Sequence, residues 1–280
     1  MNALNAWLRL TRAEHAVMVY AAVTIAQLVV LHGNWNAVNW IAGLGPALIT
    51  LAAFAINDYF DVESDKALKR TDRPLVSEEI NETHALWASI AFFAAGCGLA
   101  WLAGDLAFYF VFLYAVFSVA YSWKLKRLPL IGNLFIASAM SVSFLYGNLI
   151  VSPVFNNFVL LFIAISFAAG LGRELLITLR DVEGDKKMGA TTLPMLIGSK
   201  ATVVLSSALL HSAVVVSLFP LTEKIFWPYA VLVGISDILF LFAAWRVVLD
   251  ASPGVLKKAR NYTLAALMFG ILAFASLAFW

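Results

Sequence analysis

The sequence predicts an all-α polytopic membrane protein, about nine transmembrane helices bundled around a central cavity, with the N-terminus in the cytoplasm. Three observations lead there. Of 280 residues, 62% are hydrophobic and only 13% charged, and mean hydropathy is +0.86. Soluble domains are usually about 45–50% apolar and about 25% charged. Apolar runs long enough for a core of about 30 Å, which needs about 20 helical residues, recur along the whole chain. Almost all the Lys and Arg fall in alternate interruptions between those runs.

The runs are taken in order. The first, 14–32, follows Arg9 and Arg12 and stops at His32-Gly33-Asn34. The second, 37–57, contains LITLAAFAI and runs into a series of carboxylates. Gly104-Asp105 separates 83–103 from 106–123. The segment 130–150 stops before Ser152-Pro153, and 155–177 ends in a charged stretch. Pro220 closes 201–219, and Ser252-Pro253-Gly254 follows 228–248. The last run is 262–280. With the N-terminus inside, the inside segments carry two, four, three, five and four Lys or Arg, eighteen of the nineteen, and Lys224 alone lies outside. Such a bias in short loops sets orientation. No cleavable signal pattern is expected, since the first run reads as a membrane helix itself. One domain, 1–280, is expected, with cytoplasmic Asp-rich segments at 57–82 and 173–200.

Composition also excludes. A net charge of +2 suggests no nucleic-acid partner. Cys97 is the single cysteine, so an intrachain disulfide and a Cys-based zinc site are ruled out. In its apolar run Cys97 reads as a small buried residue.

Chemistry is expected where polar groups concentrate, on the inside. NDYFDVESD, 57–65, closes the second run. If the helix continues to 65, Asn57, Asp61 and Asp65 stand at i, i+4 and i+8, and Asp58 shares their face. Glu63 falls off that face and is not expected to be a primary metal ligand. A second cluster, in RELLITLRDVEGDKKMGATTLP, 173–194, places Asp181 and Asp185 at i and i+4. Acidic residues after a membrane run are often only a solvated loop with weak surface pairs. Two clusters at helical spacing, each beginning within an apolar run, weigh against that reading. Carboxylates that converge must be neutralised. Without Cys or clustered His, oxygen ligands are what the chain offers, which favours Mg2+ or a similar hard cation. Arg73, Lys124, Lys126, Arg127, Arg173, Lys186 and Lys187 lie in the same layer, so metal and an anionic, phosphorylated ligand are expected together.

These motifs resemble those of the UbiA superfamily of intramembrane prenyltransferases, with its two Asp-rich motifs of the form NDxxDxxxD and DxxxD. The resemblance extends to DRPLVS (72–77), YSWKLKR (121–127) with Gly132-Asn133, and GATTLP (189–194), and so covers nearly the whole chain. It implies nine transmembrane helices, a polyprenyl diphosphate with its head on Mg2+ and its tail in an apolar tunnel open to lipid, and transfer of the prenyl group to an acceptor through an allylic cation. It implies that Asp58, Asp61 and Asp65 bind one Mg2+ with Asn57 assisting, and that Asp181 and Asp185 bind a second. Of these, Asp58, Asp61, Asp181 and Asp185 are the expected catalytic carboxylates. Arg73 and Lys124 are expected on the diphosphate, and Tyr121 as a hydrogen-bond donor to it. Arg127 and Arg173 are expected on the diphosphate or on a phosphate of the acceptor. Lys186 and Lys187 read as solvated loop charges.

Within the family, the two Asp-rich stretches are most like those of members that transfer geranylgeranyl to the free hydroxyl of geranylgeranylglyceryl phosphate in ether-lipid synthesis. An aromatic, quinone or chlorophyll-type acceptor is the alternative. A cation-coupled transporter is a further one, disfavoured because the acidic groups lie at helix ends rather than at midplane, Asp237 apart. The chain departs from the family at Ile177-Thr178, where many members carry Lys-Asp, at Glu78, where Gly is common, and at Arg12-Ala13-Glu14-His15, where Arg-Pro and an Asn are common. Glu14 and His15 read either as an acid–base pair facing the acceptor or as an interfacial helix start. His84 and His211 read as packing positions and His32 as an outer loop residue.

Overall fold

A computed structural model describes residues 3–34, 37–187 and 189–280, without the side chains of residues 37, 38 and 187. The described residues are helical with no strand. Nine of their helices are long and apolar enough to cross a membrane. Spatial contacts group the chain into two compact units, Met1–Thr24 with Trp35–Leu125, and Ile25–Asn34 with Lys126–Trp280.

The first unit opens with a short helix the apolar runs did not announce, α1 (Ala3–Thr11). Arg12, in the left-handed region at φ 44°, breaks it from α2 (Ala13–Val30). A short α3 (Ala37–Ala42) precedes α4 (Leu44–Ala67), which continues through the whole first carboxylate motif. Then come α5 (Glu82–Ala103) and α6 (Asp105–Trp123). Asn81 starts α5 by accepting the Thr83 N–H at 2.8 Å, satisfying one of the donors every helix start leaves over. Gly104, at φ 123°, makes the sharp break expected between α5 and α6. Helices α4 and α5 pack backbone to backbone at Gly45 and Gly96. A Cβ on Gly96 would stand 2.9 Å from the Gly45 carbonyl oxygen and 2.9 Å from Ile49 Cδ1. The other end of α4 is held by a core of Ala6, Leu10, Ala55, Val62, Leu75, Ile80 and Ala85, with Trp7 and Tyr59 against it. That core joins α1 and the loop 68–81 to the motif-bearing turns of α4.

The second unit contains α7 (Ile131–Val151), α8 (Asn157–Lys187), α9 (Leu193–Ile197), α10 (Ser199–Ser217), α11 (Phe219–Glu223), α12 (Trp227–Leu249) and α13 (Pro253–Ser276). Proline stands at the first or second position of α9, α11, α12 and α13, where its missing N–H costs nothing. The last helix begins at Pro253, nine residues before the apolar run, because the polar stretch KKARNY is helical too. Ala169 and Leu176 of α8 share a core with Leu210, Phe240, Ala259 and Ala266 from α10, α12 and α13. Phe144, Phe162 and Phe274 form an aromatic cluster, with Phe162 and Phe274 stacked at 4.3 Å. The small residues let helices approach closely in lipid, where no hydrophobic force drives them together.

Candidate active site

In the first unit, the last three turns of α4 bring the predicted carboxylates to one face. Asn57 Nδ2 donates to Asp61 Oδ2 at 3.1 Å. Asp58 is 2% exposed and Asp65 is buried. Glu63 points the other way, exposed, with Lys66 3.5 Å away as its ion-pair partner. The helical spacing therefore sorts Glu63 from its neighbours as the sequence suggests.

Buried carboxylates need cations. Asp58 receives two. Arg73 Nη1 donates to both of its oxygens at 3.0 and 3.1 Å, and Arg12 Nη2 donates to Oδ1 at 3.1 Å. Arg73 Nε stands 3.8 Å from Asp65 Oδ2, and Arg70 Nη1 stands 3.7 Å from Asp65 Oδ1. The guanidinium of Arg12 also lies over the Phe54 ring at 4.5 Å, and His15 meets the same ring edge-on at 4.9 Å. Burial holds the Arg12 guanidinium below its ordinary pKa against the pull of Asp58, and the nearby Arg73 and Arg70 add repulsion.

The loop that carries Arg70 and Arg73 is latched to α1. Arg9 Nη2 donates to both Glu79 oxygens, at 2.6 and 2.5 Å, and Arg9 Nη1 to the Asp72 carbonyl at 3.2 Å. Ser77 Oγ donates to Glu79 Oε1 at 2.8 Å. The Arg9 and Ser77 hydrogen bonds hold the Glu79 carboxyl below the usual carboxylate range. Glu78, exposed, takes the left-handed conformation at φ 58°, which explains why glycine suits this position. At the end of α6, Lys124 is exposed with Nζ over the Trp123 ring at 4.2 Å, and Tyr121 is half-buried.

In the second unit, α8 carries the other carboxylates. Arg180 grips Asp181 with two bonds, Nε to Oδ1 at 2.7 Å and Nη2 to Oδ2 at 2.6 Å. Asp185 is half-buried one turn on and close enough to feel the Asp181 charge. Arg173 is buried, donating from Nη1 to Glu174 Oε1 at 3.0 Å. Thr178 accepts from Asn133 Nδ2 at 2.7 Å and donates to the Glu174 carbonyl at 2.9 Å. Arg127 ends a 3-10 turn, Leu125–Arg127, and is exposed. Lys186 is exposed, and the side chain of Lys187 lies outside the described residues.

The predicted groups thus fall into two sets. Asn57, Asp58, Asp61, Asp65 and Arg73 come together on the first; Arg173, Asp181 and Asp185 line one helix of the second. Lys124 and Arg127 make no ion pair among the described residues. Sequence reasoning missed Arg12 and Arg70 as partners of the carboxylates, and Glu174. The signal for Arg12 was its place just ahead of the first apolar run, beside the departure from Arg-Pro. Among the described residues no three His, Cys, Asp or Glu side chains gather as a metal cluster. The donor set is nevertheless all oxygen, with Asn57 and Asp61 in contact one turn apart, and this chemistry suits a hard cation such as Mg2+.

Comparisons with known proteins bear on the same helices. A digeranylgeranylglyceryl phosphate synthase from Archaeoglobus fulgidus is 34% identical over 290 aligned positions, covering 100% of this chain and 98% of that protein. A protein of the same name from Methanoculleus marisnigri is 32% identical and covers 98% of each. A solved structure reported for structural and mechanistic insights into the biosynthesis of digeranylgeranylglyceryl phosphate synthase in membranes matches with TM-score 0.82 at 26% identity, covering 100% of this chain and 99% of that one. A UbiA homolog from Archaeoglobus fulgidus, solved with DMAPP and Mg2+ bound, has the same fold at TM-score 0.69 and 19% identity, over 98% of each chain. The sequence profile of the UbiA prenyltransferase family matches residues 15–269, and the chain belongs to that family.

Proposed function

We propose that this integral membrane protein is a Mg2+-dependent prenyltransferase that moves geranylgeranyl from its diphosphate to the hydroxyl of geranylgeranylglyceryl phosphate, forming the second ether of a lipid core. The full-length similarity to digeranylgeranylglyceryl phosphate synthases carries the reading. The arginine-flanked carboxylates on α4 and the acidic end of α8 support it.

Asp58, Asp61 and Asp65, with Asn57, would hold one Mg2+, and Asp181 and Asp185 a second. When bound, the metal supplies positive charge against the negative charge that builds on the leaving diphosphate. The chain's own part is placement. Arg73, fixed by Asp58 and by the latched loop, offers a guanidinium to the diphosphate with little left to order. Lys124, exposed with its ammonium over Trp123, offers a point charge, and Tyr121 a hydroxyl. The C1–O bond of the donor breaks, its electrons leave with diphosphate, and the acceptor oxygen bonds to C1 and gives up its proton to the departing diphosphate. Apolar helices keep water from the allylic cation in the interval. The site faces the cytoplasm, on the side where the Lys/Arg bias puts the motif loops.

The test is an acceptor screen on purified protein in lipid nanodiscs, with geranylgeranyl diphosphate and Mg2+. Candidate acceptors are geranylgeranylglyceryl phosphate, aromatic acids and quinone precursors, read by mass spectrometry of the lipid product. The expected result is diphosphate release that depends on the glyceryl phosphate ether and stops with EDTA. Product formed only from an aromatic acceptor overturns the reading.

A further inference from the structure

We propose that Arg260 of α13 joins Arg173 of α8 to form the seat for a phosphate monoester, that of the acceptor lipid, with Glu174 as the residue that aims Arg173. This rests on the functional reading above.

Arg173 is 9% exposed. A guanidinium has five N–H donors. In this one, Nη1 is taken by Glu174 at 3.0 Å, and Nε is buried with no acceptor. A buried charged donor without a partner is costly, so its persistence points to a partner from outside the chain. Glu174 is well placed to orient Arg173 but supplies a single negative charge. The turn of α8 that carries it is anchored, since the Glu174 carbonyl takes Thr178 Oγ1 and Thr178 is tied to Asn133 on α7.

Arg260 comes from α13, half-buried and next to Ala259 of the core that α13 shares with α8. Its charge acts on both Arg173 and Glu174. It makes no ion pair among the described residues. Alanines 169, 259 and 266 in the shared core of α8 and α13 bring the two helices together. Two guanidiniums and one carboxylate leave an excess positive charge in a half-buried position. Arg180 does not share it, because Asp181 takes both of its arms.

An anion with several acceptor oxygens and nearly two charges answers this set. A phosphate monoester fits, because it accepts forked bonds from two guanidiniums at once. Arg173 lies eight residues before Asp181, about 12 Å along the helix axis, so the seat is two turns from the carboxylate end of α8, near enough that the Asp181 charge still reaches Glu174. The donor's diphosphate is the rival source of the same chemistry, and kinetics separate the two.

The experiment compares wild type with Arg260→Gln, and then with Arg173→Gln, in nanodiscs. Arg260→Gln comes first because it leaves no carboxylate freshly unpaired. An unfolding midpoint without ligand checks that each variant is folded. We expect Arg260→Gln to raise KM for geranylgeranylglyceryl phosphate about tenfold or more, as loss of a charge-assisted bond does, and to leave KM for geranylgeranyl diphosphate within about twofold. The preference for this acceptor over phosphate-free geranylgeranylglycerol should shrink by the same factor, and Arg260→Lys should restore part of it. A rise in donor KM, or no change in either KM, overturns the seat and leaves the functional reading standing. Binding of the acceptor alone, read as a rise in unfolding midpoint, gives the opposite separation. If wild type binds the lipid through Arg260 but does not prenylate it, the reading falls and the seat stands; if wild type does not bind it, both fall.

Discussion

Asp58 accepts hydrogen bonds from Arg12 and Arg73 at 2% exposure, whereas Glu63, five residues on, is solvated. Their fates differ because a helix turns about 100° per residue, and the sequence spacing contains that information. Asp61→Asn should therefore abolish most prenyl transfer, whereas Glu63→Gln should keep it within about twofold of wild type; turnover by the two purified variants decides this. Glu78 makes a second case. Its left-handed φ costs a residue with a side chain about 1 kcal/mol, and nothing about its exposed side chain offsets that. Glu78→Gly should raise stability by about that amount, visible as a higher unfolding midpoint with turnover unchanged. What was not legible at this scale was pairing. Arg12 lies 46 residues from Asp58, and only the tertiary fold shows that a charge counted as a topology signal is a partner of the buried carboxylate. The same holds for Glu174, hidden in a helical run that reads as span.

Among the elements, the long helices were plain in the sequence, and the short ones were not. Apolar runs predict what crosses a membrane, and α1, α3, α9 and α11 are too short to make that signal. The helical continuation of α4 and α8 through their acidic motifs was expected from the i, i+4 spacing and is present. The latch between α1 and the loop 68–81 was not, since it depends on Arg9 meeting Glu79. The latch should depend on pH. Glu79 titrates below its ordinary value in the folded protein, so its contribution is present above about pH 4.5 and is lost as pH falls through the lower folded pKa. The midpoint difference between wild type and Glu79→Gln should thus be seen at pH 7 and close toward pH 3. The α4–α5 contact gives a sterner test. A side chain on Gly96 meets backbone oxygen at 2.9 Å and has no flexible neighbour to displace on that side. Gly96→Val should cost about 1–3 kcal/mol, measured as a lower unfolding midpoint with the carboxylates untouched.

For the whole molecule, the nine membrane-length helices among the described residues and the family were legible because both rest on patterns repeated along the chain: apolar length, and two acidic motifs at fixed spacing. Orientation is a prediction of the charge bias alone. In a variant with Cys97 replaced, a cysteine at Lys224 should react with an impermeant thiol reagent from outside cells. One at Ser252 should react only after the membrane is opened, and the reverse pattern would refute a cytoplasmic N-terminus. The arginine network has a consequence for how such a protein is made. Arg12, Asp58, Asp65, Arg70, Arg73 and the Arg9–Glu79 latch all lie within the first 79 residues, in one unit. A nascent chain therefore carries the neutralising cations for its buried acids before the later spans have left the ribosome. The acidic turns of α4 therefore meet their arginine partners without waiting for metal, substrate or α8, and the cost of setting those acids at the edge of a bilayer is reduced from the moment the segment is inserted.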